Sequence, residues 1–234
     1  EFTVDRLNLA NQGGAAVISQ WATPWHGLEA VAEWRNVLLG LSVTLLAMTL
    51  ACQYFMNNID DEAIFRRAAR RMRTFAALFV ACFVAWLLAL VLADGWAVDA
   101  AGTVSVEPYK YLHNLVEMPY VAAALLIGVV SVLWSVWLGW CGSRRAVWFG
   151  GVGTVLTVLS LLLLAGWNDT AYYPSLADMQ SSLTIRNSSS SLFTLRTWVS
   201  LFVPFVAAYI WYAWRAMNRR PITREEIRGD DHQY

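Results

Sequence analysis

Five long apolar segments without a single charged residue constrain this chain more than any other feature of its sequence. A helix rises about 1.5 Å per residue, so roughly 20 apolar residues cover the ~30 Å hydrocarbon core of a bilayer. Because lipid offers the backbone no hydrogen-bonding partner, we expect each segment to form a helix. The segments are residues 37–56, 74–93, 119–140, 146–166 and 197–214.

The composition agrees with this prediction. Hydrophobic residues make up 58% of the 234 residues and charged residues only 15%, against about 25% charged in a typical soluble domain. The net charge is zero, which argues against nucleic acid as a partner. Cys52, Cys82 and Cys141 have neither a CxxC motif nor paired spacing, so the sequence predicts neither a disulfide framework nor a zinc site.

The basic residues predict the orientation. Twelve of the seventeen basic residues follow the first, third or fifth segment, and short cytoplasmic loops are enriched in such residues. We therefore expect a cytoplasmic C-terminus and outward-facing loops at 94–118 and 167–196. The predicted organisation is an outward-facing segment with a short interfacial helix, residues 1–33, a five-helix transmembrane bundle, residues 34–214, and a cytoplasmic basic tail, residues 215–234.

The polar stretch at residues 57–73 reads as a cytoplasmic helical extension of the second span, because acidic residues open it and arginines close it. The arginines are topology determinants in the favoured interpretation, and binding of anionic lipid headgroups stays an alternative. They are Arg66, Arg67, Arg70, Arg71 and Arg73.

Small residues every four positions predict close packing between the helices. Gly150 with Thr154 shows this spacing, and Trp86 and Trp134 lie deep enough in their segments to face neighbouring helices. Gln53 is the deepest strongly polar side chain, and we expect it to hydrogen-bond a neighbouring helix. Pro204 is expected to kink the fifth helix. The longest stripe of small residues is Ala77, Ala81, Ala85 and Ala89.

Histidines are the obvious candidates for chemistry, but His26, His113 and His232 all lie outside the apolar segments. We expect His26 to belong to a short interfacial helix capped by Thr23 and started by Pro24. His113 is the better functional candidate because of its neighbours just before the third span. These neighbours are Glu107, Lys110 and Glu117.

A serine-rich stretch, residues 181–198, precedes the fifth span. Serine is among the best residues for satisfying the free backbone donors at a helix start, so residues 188–191 are predicted to cap that span. With Thr184 and Asn187 they fold the loop back as an ordered lid over the helix ends. Two glycosylation sequons, at Asn168 and Asn187, are short enough to arise by chance, and we assign them no role.

Several stretches resemble one known family. The run WNDTAYYPSLADMQSSLTIRNSSSSLFTLRTWVSLFVPFVAAYIWYAW with its tail RRPITREEI, together with TPWHGLEAV and EPYKYLHNLVEMP, is similar to the C-terminal part of subunit II of cytochrome bd-type quinol oxidases. The resemblance implies an all-α polytopic bundle of four helices plus one peripheral helix. It also implies a subunit of a bacterial inner-membrane oxidase that oxidises quinol and reduces dioxygen to water.

The same resemblance implies the partners and cofactors. Subunit I of the family carries two b-type haems and one d-type haem, or a third b-type haem in its place, and subunit II packs against it. The implied partners are subunit I, a missing N-terminal half of subunit II and membrane lipids, with a small accessory subunit left open. No catalytic, cofactor-binding or metal-ligating residue of the family can be carried onto this chain. The alternatives are a helical membrane anchor or a transporter half of an unrelated complex.

Overall fold

The computed structural model describes residues 2–9, 14–185, 192–217 and 222–223. Four of its helices are long and apolar enough to cross a membrane, and they coincide with the first four predicted spans. They are α1, Trp34–Asn58, α2, Glu62–Val91, α4, Pro119–Trp140, and α5, Ala146–Gly166. A shorter helix, α3, covers Lys110–Glu117.

The fifth predicted span lies within helix α6, Leu192–Met217, which continues through Pro204. This helix is not among the four whose length and hydropathy qualify them within the described part of the chain. Its passage through the membrane, and the bend at Pro204, therefore stay predictions.

The chain divides into two compact units, which are described separately. The loop unit comprises residues 1–43, 80–127 and 155–188, and the arginine unit comprises residues 44–79, 128–154 and 189–234.

The loop unit contains short strands, which the all-α prediction did not include. Strands β1, Phe2–Leu9, and β2, Gly14–Trp21, form an antiparallel hairpin in which Phe2 lies opposite Trp21. A second antiparallel hairpin joins β4, Gly95–Val98, to β5, Val104–Glu107. The alternation of apolar and polar residues in FTVDRLNL fits a strand better than a helix.

The predicted interfacial helix starts later than expected. A short 3-10 helix covers Leu28–Ala32, so Thr23 and Pro24 do not begin it. Instead, the Thr23 carbonyl accepts a hydrogen bond from the His26 amide at 3.4 Å. His26 and Gly27 have φ angles of 49° and 95°, which a right-handed helix cannot include. The helix can therefore start only after this turn.

Two apolar clusters hold the loop unit together. In the first, Met118 and Val121 pack against Leu164 of α5. In the second, Val98 and Val104 of the β4–β5 hairpin pack against Ala171. Trp86 is buried and stacks on Phe83 of the same helix, α2.

The arginine unit packs through small residues and methionines. Met72 and Ala76 of α2 contact Val136 of α4. A Cβ atom on Gly150 of α5 would lie 2.6 Å from Leu50 Cδ2 and 2.7 Å from Ser135 Oγ, so a larger residue would require these side chains to move. Strand β3, Ile59–Asp60, pairs in parallel with β6, Ile222–Thr223. The predicted helical extension at 57–73 is confirmed from Glu62 onward.

Two packing predictions are wrong. Ala77, Ala81 and Ala85 are exposed in this chain rather than packed against its other helices. Trp134 is 48% exposed and contacts Trp137 of its own helix, with ring centroids 4.7 Å apart. Spacing places residues on a common face of a helix, but it does not tell which face turns inward.

Candidate functional site

A polar cluster surrounds α3 in the loop unit. Strand β5 ends at Glu107, and Tyr109 then adopts a left-handed conformation with φ 52° immediately before the helix. Residues three and four positions apart share one face of a helix. This spacing brings polar side chains of α3 towards β5 and the segment after α5. They are Lys110, His113, Asn114 and Glu117.

Glu107 holds two basic groups at once. Its Oε2 lies 3.2 Å from Lys110 Nζ, and its Oε1 lies 2.7 Å from His113 Nδ1. Only 6% of Lys110 is exposed, so its ammonium group depends on this carboxylate for compensation. The Lys110 stem packs so closely on Gly95 that a Cβ atom there would lie 2.7 Å from Lys110 Cβ.

The hydrogen bond from His113, followed by those from Lys110, holds the pKa of Glu107 below its ordinary value of 4.5 although partial burial opposes this. Glu107 is therefore ionised at neutral pH and accepts hydrogen bonds only, so we assign the proton of the shared hydrogen bond to His113 Nδ1. The cluster therefore has an ionised carboxylate at its centre and one exposed edge, since the side chain of His113 is half exposed.

Asn114 is fully buried and joins three parts of the loop unit. Its Nδ2 donates to the Leu164 carbonyl at 3.0 Å and to Thr170 Oγ1 at 2.9 Å. Its Oδ1 accepts from Asn168 Nδ2 at 3.1 Å. Leu164 lies in the last turn of α5, where carbonyls have no partner within the helix. Asn114 therefore caps the end of α5 from another helix.

Asn168 completes this network. It also donates to a carboxylate oxygen of Glu117, and its φ of 55° lies in the left-handed region that asparagine tolerates better than most residues. The side chain of this sequon asparagine is thus committed to hydrogen bonds within the fold. The other sequon, at Asn187, lies outside the described residues.

The structure brings together most of what the sequence predicted here. His113, Glu107 and Lys110 meet, whereas Glu117 bonds to Asn168 instead. His26 lies apart from this cluster, in an edge-to-face arrangement with Trp21 in which the ring centroids are 6.2 Å apart. His232 is outside the described residues. Asn114 was not predicted as part of this site, and its only signal in the sequence is its position four residues after Lys110 on the same helix face.

The serine-rich stretch is ordered where it is described. Ser181 and Ser182 are buried, and Ser181 Oγ accepts a hydrogen bond from the Val4 amide at 2.8 Å. Ser182 Oγ accepts one from the Ser175 amide at 3.0 Å. The predicted cap, residues 188–191, lies outside the described residues, so the lid itself stays a prediction.

A second polar contact lies in the arginine unit. Gln53 Nε2 donates to the Ser135 carbonyl at 3.2 Å, and Ser135 Oγ lies 2.9 Å from Gln53 Oε1 and 2.8 Å from the Ala146 carbonyl. The prediction that Gln53 bonds a neighbouring helix is confirmed.

The positions of the histidines and buried methionines bear on whether this chain could ligate a haem. His26 and His113 lie outside the four long helices, and His113 is committed to Glu107. The buried Met56, Met72 and Met118 are enclosed in apolar clusters. Among the described residues, no group of three or more His, Cys, Asp or Glu is placed to hold a metal ion.

Comparison with known proteins gives one clear result. The family model for cytochrome bd terminal oxidase subunit II matches residues 8–217 of the chain. No match is found among curated proteins.

Proposed function

Because the chain belongs to the family of subunit II of cytochrome bd terminal oxidases, we propose that it is the structural and assembly subunit of a complex that oxidises quinol and reduces dioxygen to water. The family is part of a haem-containing quinol oxidase complex with subunit I, so the chain is an oxidoreductase subunit. The family match carries this proposal. It disfavours the alternatives of an anchor or transporter half of an unrelated complex.

The chain binds no haem itself in this proposal. The support is the placement of His26 and His113 outside the long helices, together with the apolar packing of Met56 and Met72. Subunit I then holds two b-type haems and a d-type haem, or a third b-type haem in its place. The N-terminal half of subunit II is a further proposed partner of this bundle.

The absorption spectrum of the purified complex tests this proposal. Replacing His26, His113 and His232 together by alanine should leave every haem band at its wild-type position, because none of the three is an axial ligand. A His113→Gln single variant, which keeps a polar partner for Glu107, controls for poor assembly. Loss of one particular band from an intact complex would overturn the proposal, and a colourless complex would favour the unrelated anchor.

The chain is a multi-pass membrane protein, and we place it in the bacterial inner membrane with five crossings and its C-terminus in the cytoplasm. The alternation of arginine-rich and arginine-poor loops supports this orientation. A reporter that is active only outside the cytoplasm should be inactive when fused after Tyr234 and active when inserted at 99–103. The reverse pattern would contradict the orientation.

A further inference from the structure

The first turns of α2 form a strongly basic groove in the arginine unit. The groove has a volume of about 810 Å³. Four guanidinium groups and two carboxylates line it, so positive charge is in excess. Its lining residues are Asp61, Glu62, Ala63, Arg66, Arg67, Arg70 and Arg71.

The two carboxylates of the groove are already engaged. Asp61 Oδ1 accepts from the amides of Ala63 and Ile64 at 2.8 and 3.0 Å and so caps the helix. Glu62 pairs with Arg66 at 2.5 Å. Three further arginines line the groove, and no described residue forms a hydrogen bond or ion pair with any of them. They are Arg67, Arg70 and Arg71.

Arg70 and Arg71 lie at the depth of a lipid headgroup, and Arg67 lies just outside that layer, close enough for its long side chain to reach it. The charge-free part of α2 starts at Thr74, so at about 1.5 Å per residue Arg70 and Arg71 lie roughly 5 Å beyond it and Arg67 roughly 10 Å. The headgroup layer on each side of a bilayer is roughly 5 to 8 Å deep. Arg73 marks the same level, since it donates to the carbonyl of Trp140 at the end of α4 at 3.3 Å.

We propose that this groove binds the phosphate of an anionic phospholipid through Arg67, Arg70 and Arg71. A guanidinium group matches phosphate oxygens with two parallel hydrogen bonds. Arg67 and Arg71 are four residues apart, and like charges at this spacing repel each other on a helix. A bound phosphate relieves that repulsion. The inference rests on the membrane location of the chain and is independent of the proposed oxidase activity.

The test compares the purified complex in vesicles of phosphatidylcholine alone and with added phosphatidylglycerol. Phosphatidylglycerol should raise the Tm of the wild type and be retained through purification, as measured by mass spectrometry. The variant Arg67→Gln/Arg71→Gln should bind it about 30-fold more weakly, since two arginines near the surface are removed. The matched control, Arg144→Gln/Arg145→Gln, removes two charges from outside the groove and should retain the shift.

A further variant, Arg67→Lys/Arg71→Lys, keeps the charges that membrane insertion uses but loses the paired hydrogen bonds, and it should bind phosphatidylglycerol less tightly than the wild type. Equal Tm values in both vesicles, or equal losses in the groove and control variants, would overturn the proposal. So would an equal shift with inorganic phosphate, which would assign the groove to a soluble anion. Tighter lipid binding after removal of residues 224–234 would also contradict the proposal, because it would assign the groove to the acidic residues of the chain's own tail.

Discussion

Two buried amide side chains, Asn114 in the loop unit and Gln53 in the arginine unit, make nearly the same contacts for different reasons. Each is almost fully buried and bonds a backbone carbonyl and a hydroxyl group in its own unit. Asn114 reaches the Leu164 carbonyl, which the end of α5 leaves without a helical partner. Gln53 reaches the Ser135 carbonyl, which lies inside α4 and is already bonded within the helix.

This contrast shows where the fold requires a polar side chain. At a helix end, an unpaired carbonyl remains when the partner is removed, whereas inside a helix the backbone is satisfied without help. The ion pairs of the two units differ in the same way. Lys110 is buried against Glu107, while the Arg66–Glu62 pair of the other unit is mostly exposed.

The largest effect should come from Glu107→Gln. This change leaves the buried Lys110 ammonium without a carboxylate, and breaking such a pair costs about 3 to 5 kcal/mol. The matched control is Glu62→Gln, which breaks an exposed pair and should cost at most about 0.5 kcal/mol. Thermal unfolding of the purified complex at neutral pH measures both. Equal small losses would show that Lys110 is not buried as the structure indicates.

The pH dependence sharpens this prediction. The pKa of Glu107 is lower in the folded state than its ordinary value of 4.5. The ionised carboxylate therefore makes its full contribution to the free energy of unfolding above pH 4.5. It is lost as the pH falls through the lowered folded-state pKa. The stability difference between wild type and Glu107→Gln should therefore shrink below pH 4.5. Adding Lys110→Met to Glu107→Gln should recover part of the loss, because it removes the unpaired charge.

The second effect, about 2 to 3 kcal/mol, is expected for Asn114→Leu. Leucine has a similar branched shape but leaves the Leu164 carbonyl without its partner and removes one of the two hydrogen bonds of Asn168 Nδ2. A buried group left unpaired costs roughly 1 to 3 kcal/mol. Asn36→Leu is the control, because this exposed residue bonds the Ala30 carbonyl at 2.9 Å in the same unit. If both variants unfold at the wild-type temperature, the capping role of Asn114 is wrong.

The contrast also explains what the sequence could predict. Gln53 stands out because an amide within an apolar segment needs a partner. Glu107, Lys110 and His113 could be grouped because they lie within one turn and a short helix. Asn114 could not be recognised, since its partners are 50 and 56 residues away and only the folded chain brings them together.

The other differences between the predicted and the observed structure, in the N-terminal hairpin and the alanine stripe of α2, have related causes. The four apolar helices follow from length and hydropathy alone, whereas the hairpin at residues 2–21 depends on pairing between two short strands. The exposed alanine stripe of α2 shows that spacing predicts a face but not its orientation. For the same reason Gly150 packs tightly while Ala81 does not.

Of the three main changes, Gln53→Leu should have the smallest effect, and it tests most directly whether the interior hydrogen bond matters less than the helix cap. Hydrogen bonds between membrane helices contribute about 0.6 kcal/mol on average and at most about 1.7, and the Ser135 carbonyl keeps its bond within α4. Gln53 packs closely on Gly139, since a Cβ atom added to that glycine would lie 3.1 Å from Gln53 Nε2. Methionine keeps the straight side chain of glutamine and leucine does not, so Gln53→Met is the control for side-chain shape. Both variants should lose less stability than Asn114→Leu in the same unfolding experiment. A loss for Gln53→Met as large as that for Asn114→Leu would break the comparison, because it would mean that the fold depends on the interior hydrogen bond as strongly as on the helix cap.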